Sequence, residues 1–111
     1  MAGSVLISPV TTWTVGVHGF YPIVDRIRTQ FPCADVAEEI FSTIDQGFDL
    51  ISLSDLSAEH YMEFYRIASR SYQTFINEES DGTSAEYRAG INKCWSELLS
   101  LLEKDPRFQH G

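Results

Sequence analysis

Basic residues are scarce in this sequence of 111 residues: eight Lys and Arg stand against 16 Asp and Glu, which gives a formal charge of −8 and a pI near 4.6. Nucleic acids and anionic membranes bind basic surfaces, so the charge argues against both as partners. No apolar run approaches the roughly 18 residues of a membrane span, and residues 1–10 lack the regions of a secretory signal. We therefore expect a cytoplasmic protein.

Cysteine is almost as rare, since Cys33 and Cys94 are the only two. Two cysteines are too few for a disulfide framework or a zinc site. We predict that both are reduced core residues, with a single bridge between them as the alternative.

The motifs of common catalytic sites are missing from the sequence. It contains no metal-binding HExxH, Glu-x-x-His or CxxC spacing, no phosphate-binding glycine loop and no GxSxG elbow. We therefore predict no catalytic residues, no metal and no cofactor.

The composition that remains is that of a folded protein, with 43% hydrophobic and 13% aromatic residues. The length fits a single domain spanning residues 1–111. Apolar residues recur at helical spacing along most of the chain. We predict a mainly α fold, a compact bundle of about four helices preceded by an extended N-terminal segment at residues 10–21, with a short β-hairpin there left open.

Local signals place the helices. Pro22 suits the start of a first helix that ends before Pro32, and a second helix begins with a capping-box pattern at Asp35 and stops at Gly47. Residues 48–56 alternate apolar and polar side chains, and we rank a loop above a strand because no other strong strand outside the N-terminal region is available to pair with them. A third helix capped by Ser57 carries an aromatic face that we interpret as core, and a fourth helix runs from Thr83 to Asp105.

Charge is distributed unevenly along the chain. No Lys or Arg lies between Arg28 and Arg66, whereas eight acidic residues do, as many as the whole net charge. Solvation is the plainest role for acidic residues, but unpaired like charges lower the stability of the folded state. A segregated excess is therefore also consistent with a cationic protein partner. The eight residues are Asp35, Glu38, Glu39, Asp45, Asp49, Asp55, Glu59 and Glu63.

The same region carries a family resemblance. The run FDLISLSDLS at residues 48–57, followed by AEHYMEF at 58–64, resembles a pattern of small bacterial immunity proteins, including those of contact-dependent growth inhibition systems. The resemblance implies a cytoplasmic protein that binds one cognate toxin domain and blocks its active site without catalysing a reaction.

These observations lead to the hypothesis of an immunity protein that neutralises a basic toxin, with a nuclease as the obvious example. A small helical ligand-binding domain or enzyme that uses the aromatic face with His18 or His60 is the alternative. A regulatory subunit that presents its last helix to a partner is a third interpretation, and the oligomeric state stays open. The predicted partner contacts are Asp45, Asp49, Asp55, Glu59, Glu78, Glu79 and Asp81, with Trp95 as an aromatic anchor.

Overall fold

The chain begins with two antiparallel strands, β1 (Ala2–Ser8) and β2 (Thr11–Gly16), in which Val5 lies opposite Trp13. A third strand, β3 (Leu50–Ser52), pairs in parallel with the other side of β1, so the strand order is β2-β1-β3. The computed structural model describes residues 2–32, 34–78 and 85–108.

The described ranges also contain four helices: α1 (Val17–Thr29), α2 (Ala34–Asp45), α3 (Ala58–Asn77) and α4 (Ala85–Glu103). The prediction of a mainly helical, compact chain with four helices is confirmed, while the sheet has one strand more than a hairpin. In the described parts of the chain, no helix combines the length and apolar character needed to cross a membrane.

The core lies between the sheet and the helices. Trp13 is 2% exposed and its indole N–H donates to the backbone C=O of Cys94 at 3.1 Å, which joins β2 to α4. The aromatic face of α3 belongs to this core, as the sequence predicts, since Tyr61, Phe64 and Phe75 are buried there. Helical spacing of aromatic residues therefore reports packing in this chain and not a ligand pocket.

Residues 48–56 are not a simple loop, because Leu50–Ser52 form β3. The prediction was wrong because it assigned no strand to residues 2–8, where β1 runs and supplies the pairing partner. A parallel pair needs two segments that are distant in sequence, so the alternation within 48–56 could not decide between loop and strand by itself.

The first helix begins at Val17 and therefore five residues before the predicted start at Pro22. Proline inside a helix has no N–H for the C=O four residues earlier, which here belongs to His18. The hydroxyl of Tyr87 donates to this C=O at 3.3 Å. A contact from α4 thus replaces the bond that Pro22 cannot make.

The predicted helix signals at Ser57 and Gly47 are confirmed. The Ser57 hydroxyl accepts from the backbone N–H of His60 at 3.2 Å, and Gly47 has a φ of 96° just after α2. Asp35 lies within the first turn of α2 instead of capping it, because the helix already begins at Ala34. Thr83 and the turn before it lie outside the described residues.

Only one of the two cysteines, Cys94, lies within the described residues. Cys94 is half-buried, and burial raises the pKa of its thiol above the ordinary value. Cys33 lies outside the described residues, so the reduced state of the pair stays a prediction.

Candidate partner-binding site

Two of the predicted contact residues, Asp45 and Glu78, are paired with arginines of α1. Arg28 donates two hydrogen bonds to the Asp45 carboxylate at 2.9 and 2.8 Å, and Arg26 donates two to Glu78 at 2.5 and 2.7 Å. These hydrogen bonds lower the pKa of both carboxyl groups. The bases come from another helix, so the absence of Lys and Arg near Asp45 in the sequence does not mean that its charge is unpaired.

Asp49 is half-buried and held in place by two neighbours. Its carboxylate accepts a hydrogen bond from the hydroxyl of Tyr21, and this bond raises the pKa of the tyrosine. Its backbone C=O accepts from the N–H of Ser4 at 3.0 Å, in continuation of the β1–β3 pairing. The carboxylate therefore has a defined position beside the sheet.

The other acidic residues of the central region are spread over α2, α3 and the turn that precedes α3. Asp35, Glu38 and Glu39 share one side of α2 by their spacing, and Glu59 and Glu63 share one side of α3. The two helices meet where Glu39 lies 3.5 Å from the imidazole of His60. We call the surface formed by Asp35, Glu38, Glu39, Asp55, Glu59 and Glu63 the acidic face.

No Lys or Arg of the described ranges forms an ion pair with a residue of the acidic face. Asp55 and Glu59, which the sequence nominates as contacts, are exposed, and Glu63 is half-exposed. Exposed charges of one sign at such spacing create a negative potential that attracts a cationic surface. Asp55 and Glu59 are thus the two predicted contact residues that lie on the acidic face, and both are exposed.

Phe48 is an exposed aromatic residue that the sequence analysis missed. Its side chain is 58% exposed, directly after the glycine that ends α2. The N–H of Gly47 donates to the C=O of Ile44 and the N–H of Phe48 donates to the C=O of Thr43, both at 3.0 Å. This pair of bonds is a Schellman motif, which fixes the backbone on which Phe48 is presented.

The surroundings of Phe48 are acidic, because Asp45 and Asp49 lie on either side of it in the sequence. A signal for its exposure exists in the sequence. Ile51 and Leu53 are buried, and side chains alternate along an extended segment, so Phe48 falls on the opposite parity. An exposed aromatic ring on a fixed backbone is the kind of residue that anchors protein interfaces.

Trp95 does not provide this anchor, and the prediction for it requires correction. Its side chain is 0% exposed, and its indole N–H donates to the C=O of Ala68 at 3.2 Å across the α3–α4 interface. The broad apolar stripe of α4 is wide because the helix packs on the sheet as well as on α3. The other two nominated residues, Glu79 and Asp81, lie outside the described residues.

The alternative hypothesis of a ligand-binding domain or enzyme requires the aromatic face of α3 to form a site with His18 or His60, and the structure does not bring these residues together. His60 lies beside Glu39, whereas His18 lines a hollow of about 220 Å³ between α1 and α4, with Tyr87 and Cys94 among its other residues. Tyr61, Phe64 and Phe75 of the aromatic face of α3 are packed in the core. Among the described residues, no three His, Cys, Asp or Glu side chains are grouped to hold a metal ion.

Comparison with known proteins gives one informative result. The chain is similar to a chain of the solved structure described as "CdiA-CT toxin from Burkholderia pseudomallei E479 in complex with cognate CdiI immunity protein", with a TM-score of 0.82 and 24% sequence identity. The match covers 96% of this chain and 99% of that chain. The fold is thus that of a protein from a toxin–immunity complex.

The likeness extends over the sheet and all four helices, because it covers nearly the whole chain. It agrees with the resemblance to immunity proteins of contact-dependent growth inhibition that residues 48–64 carry. No protein-family model matches the chain, and no curated protein matches it significantly.

Proposed function

We propose that this chain is an immunity protein that binds and neutralises a cognate toxin domain through its acidic face. The observation that carries the proposal is the fold match over 96% of the chain to a protein from a toxin–immunity complex. That complex joins a toxin and its cognate immunity protein, and we assign the role of the immunity protein to this chain.

The charge of the chain supports the immunity role over the toxin role. A formal charge of −8 suits a protein that covers a basic surface, and nuclease toxins have such surfaces because they hold phosphate groups. The proposed partner is accordingly a toxin domain with a basic surface, and a nuclease is the class with matching charge. Blocking its active site requires no catalysis by this chain, which would act in the cytoplasm of the cell to be protected.

We assign different roles in binding to the charged residues of the acidic face and to the apolar side chain of Phe48. The acidic face draws the basic partner in, since complementary charge raises association rates by about 10- to 1000-fold. Phe48 then supplies apolar contact area next to Asp45 and Asp49, whose carboxylates are already held by Arg28 and Tyr21. Glu78 is held in the same way by Arg26 and remains a proposed contact, together with Glu79 and Asp81.

The location of the charge can be tested with two variants that remove the same number of carboxylates. The first, Asp55→Asn/Glu59→Gln/Glu63→Gln, alters the acidic face, and the matched control, Glu86→Gln/Glu97→Gln/Glu103→Gln, alters α4. The probe is the toxin domain that the proposal expects the coding sequence immediately upstream of this chain to encode. Association rates are measured by stopped-flow at about 50 and about 500 mM NaCl.

We expect the acidic-face variant to associate at least about tenfold more slowly at low salt and to lose most of its salt dependence. The control should stay within about twofold of the unmodified chain, because its carboxylates lie on α4 and not on the acidic face. If both variants associate equally slowly, net charge explains the effect and the proposed role of the acidic face is refuted. Failure of the unmodified chain to bind would refute the immunity role itself.

A further inference from the structure

The sheet ends on one side at β2, which has β1 as its only neighbouring strand in the described residues. In β1, the Ser4 N–H donates to the Asp49 C=O at 3.0 Å and the Leu6 C=O accepts from the Leu53 N–H at 2.7 Å. Before the irregularity at Ile7, Ser4 and Leu6 thus point their main-chain groups toward β3, and Gly3 and Val5 point theirs toward β2. Because Val5 lies opposite Trp13, we place the main-chain groups of Trp13 toward β1.

The residues of β2 on either side of Trp13 have the opposite orientation. Thr12 and Thr14 direct their N–H and C=O groups away from β1, and each residue offers one donor and one acceptor. This register leaves these main-chain groups outside the β1–β2 ladder, and no turn, loop or side-chain hydrogen bond in residues 2–32, 34–78 and 85–108 uses them. Both side chains are exposed, so neither covers this edge.

The strand also lacks the features by which proteins protect an open edge. Lys, Pro and inward-pointing charges normally discourage pairing, but β2 (Thr11–Gly16) contains no charged residue and no proline. Its three threonines, valine and tryptophan instead favour extended backbone. At the other side of the sheet, Arg107 donates to the C=O groups of Ile7 and Leu53 at 2.7 and 2.6 Å, which closes the end of β1 and β3.

We propose that β2 is the edge to which an extended segment of the cognate toxin adds as a further strand. The proposal rests on the proposed function and names the mode of binding. Charge favours this occupant over a second copy of the chain, because two molecules that each carry −8 repel one another whereas a basic segment is attracted. Pairing with an exposed edge is an established way in which one protein binds an extended segment of another.

Amide hydrogen exchange tests the pairing without a substitution. The chain is labelled with ¹⁵N and studied free and in complex with the toxin domain that the proposed function expects the upstream coding sequence to encode. In the free chain, the amides of Thr12 and Thr14 should exchange fast, whereas those of Trp13 and Val15 are protected by β1. In the complex, we expect protection at Thr12 and Thr14 to rise by about 100-fold or more.

Two substitutions of Thr12 distinguish the contribution of its main-chain N–H to binding from that of its side chain. Thr12→Pro removes the outward N–H and places a ring at the edge, whereas the control Thr12→Ala removes only the hydroxyl and methyl groups. Thr12→Pro should weaken binding by at least about tenfold and Thr12→Ala by less than about twofold. Circular dichroism checks that both variants fold. If Thr12→Pro does not fold, the amide hydrogen exchange experiment alone tests the edge proposal.

The outcomes distinguish this proposal from the function on which it rests. If the chain binds the toxin but Thr12 and Thr14 exchange as fast as before, the edge proposal is overturned while the immunity role stands. If sedimentation shows a dimer of this chain with both amides protected, the occupant is a second copy and the proposal is also overturned. If the chain does not bind the toxin domain, the proposed immunity role is refuted, and the edge proposal that rests on it is refuted as well.

Discussion

Arg107 shows how one residue connects distant parts of this chain. Its guanidinium donates to the C=O groups of Ile7, Leu53 and Leu56 at 2.6 to 3.0 Å and lies 4.2 Å from the centre of the Tyr61 ring. Asp105 accepts from the same group at 2.8 Å and is 5% exposed. Because both charges are shielded from water, this pair contributes more to stability than the exposed pairs of α1.

The pairing makes stability depend on pH. Hydrogen bonds from Arg107 lower the pKa of Asp105 below the ordinary value of 3.8. The stabilisation is fully present above that value and is lost as the pH falls through the lower pKa of the folded state. Asp105→Asn should cost about 2 kcal/mol of unfolding free energy near neutral pH, and the difference from the unmodified chain should shrink toward about pH 2.

Urea denaturation across that pH range measures this effect. Asp45→Asn serves as the control, because Asp45 is paired with Arg28 at the surface, with 53% of its side chain exposed, and should have a much smaller effect. A loss at Asp105 that stays constant from neutral to acid pH would show that its charge does not stabilise the fold.

Among the elements, β1 and α1 are packed unusually closely at Gly3. A Cβ atom at this position would lie 2.2 Å from Cγ of Phe20, a buried residue of α1. Neither partner has room to yield, since the Phe20 ring also contacts Trp13 and Tyr21. The absence of a side chain at residue 3 therefore sets the distance between the strand and the helix.

Gly3→Ala should lower the unfolding free energy by about 1–3 kcal/mol, because the added methyl group overpacks the interface. The matched control is Gly90→Ala, since Gly90 lies within α4 and nothing approaches its Cβ position within 4 Å. This second variant should gain up to about 1 kcal/mol from helix propensity. Chemical denaturation measures both, and a neutral Gly3→Ala would mean that β1 and α1 can move apart.

For the whole molecule, the excess of negative charge opposes folding. The formal charge is −8, and no Lys or Arg of the described ranges forms an ion pair with the acidic face. Salt shortens the range of this repulsion. The same excess that favours a basic partner therefore makes the free chain less stable.

The melting temperature should accordingly rise between about 20 and about 300 mM NaCl, because screening weakens the repulsion between like charges. The variant Asp55→Asn/Glu59→Gln/Glu63→Gln removes three of these charges and should melt higher at low salt with a smaller rise. Differential scanning calorimetry measures both effects. A melting temperature that falls with salt would show that attractive ion pairs outweigh the repulsion.

The sequence by itself determined the features that depend on neighbouring residues. The aromatic face of α3 follows from helical spacing, and Ser57 and Gly47 mark helix ends because their side chain or its absence acts within one turn. The mainly helical fold class follows from the same periodicity. These signals are local, so they do not require knowledge of where distant segments lie.

Only the tertiary structure decided which distant segments meet. Three features depend on contacts between residues far apart in the sequence. They are the parallel pairing of β1 with β3, the arginine partners of Asp45 and Glu78, and the burial of Trp95. Spacing shows which face of a helix a residue occupies. It does not show what covers that face, because this depends on how the whole chain packs.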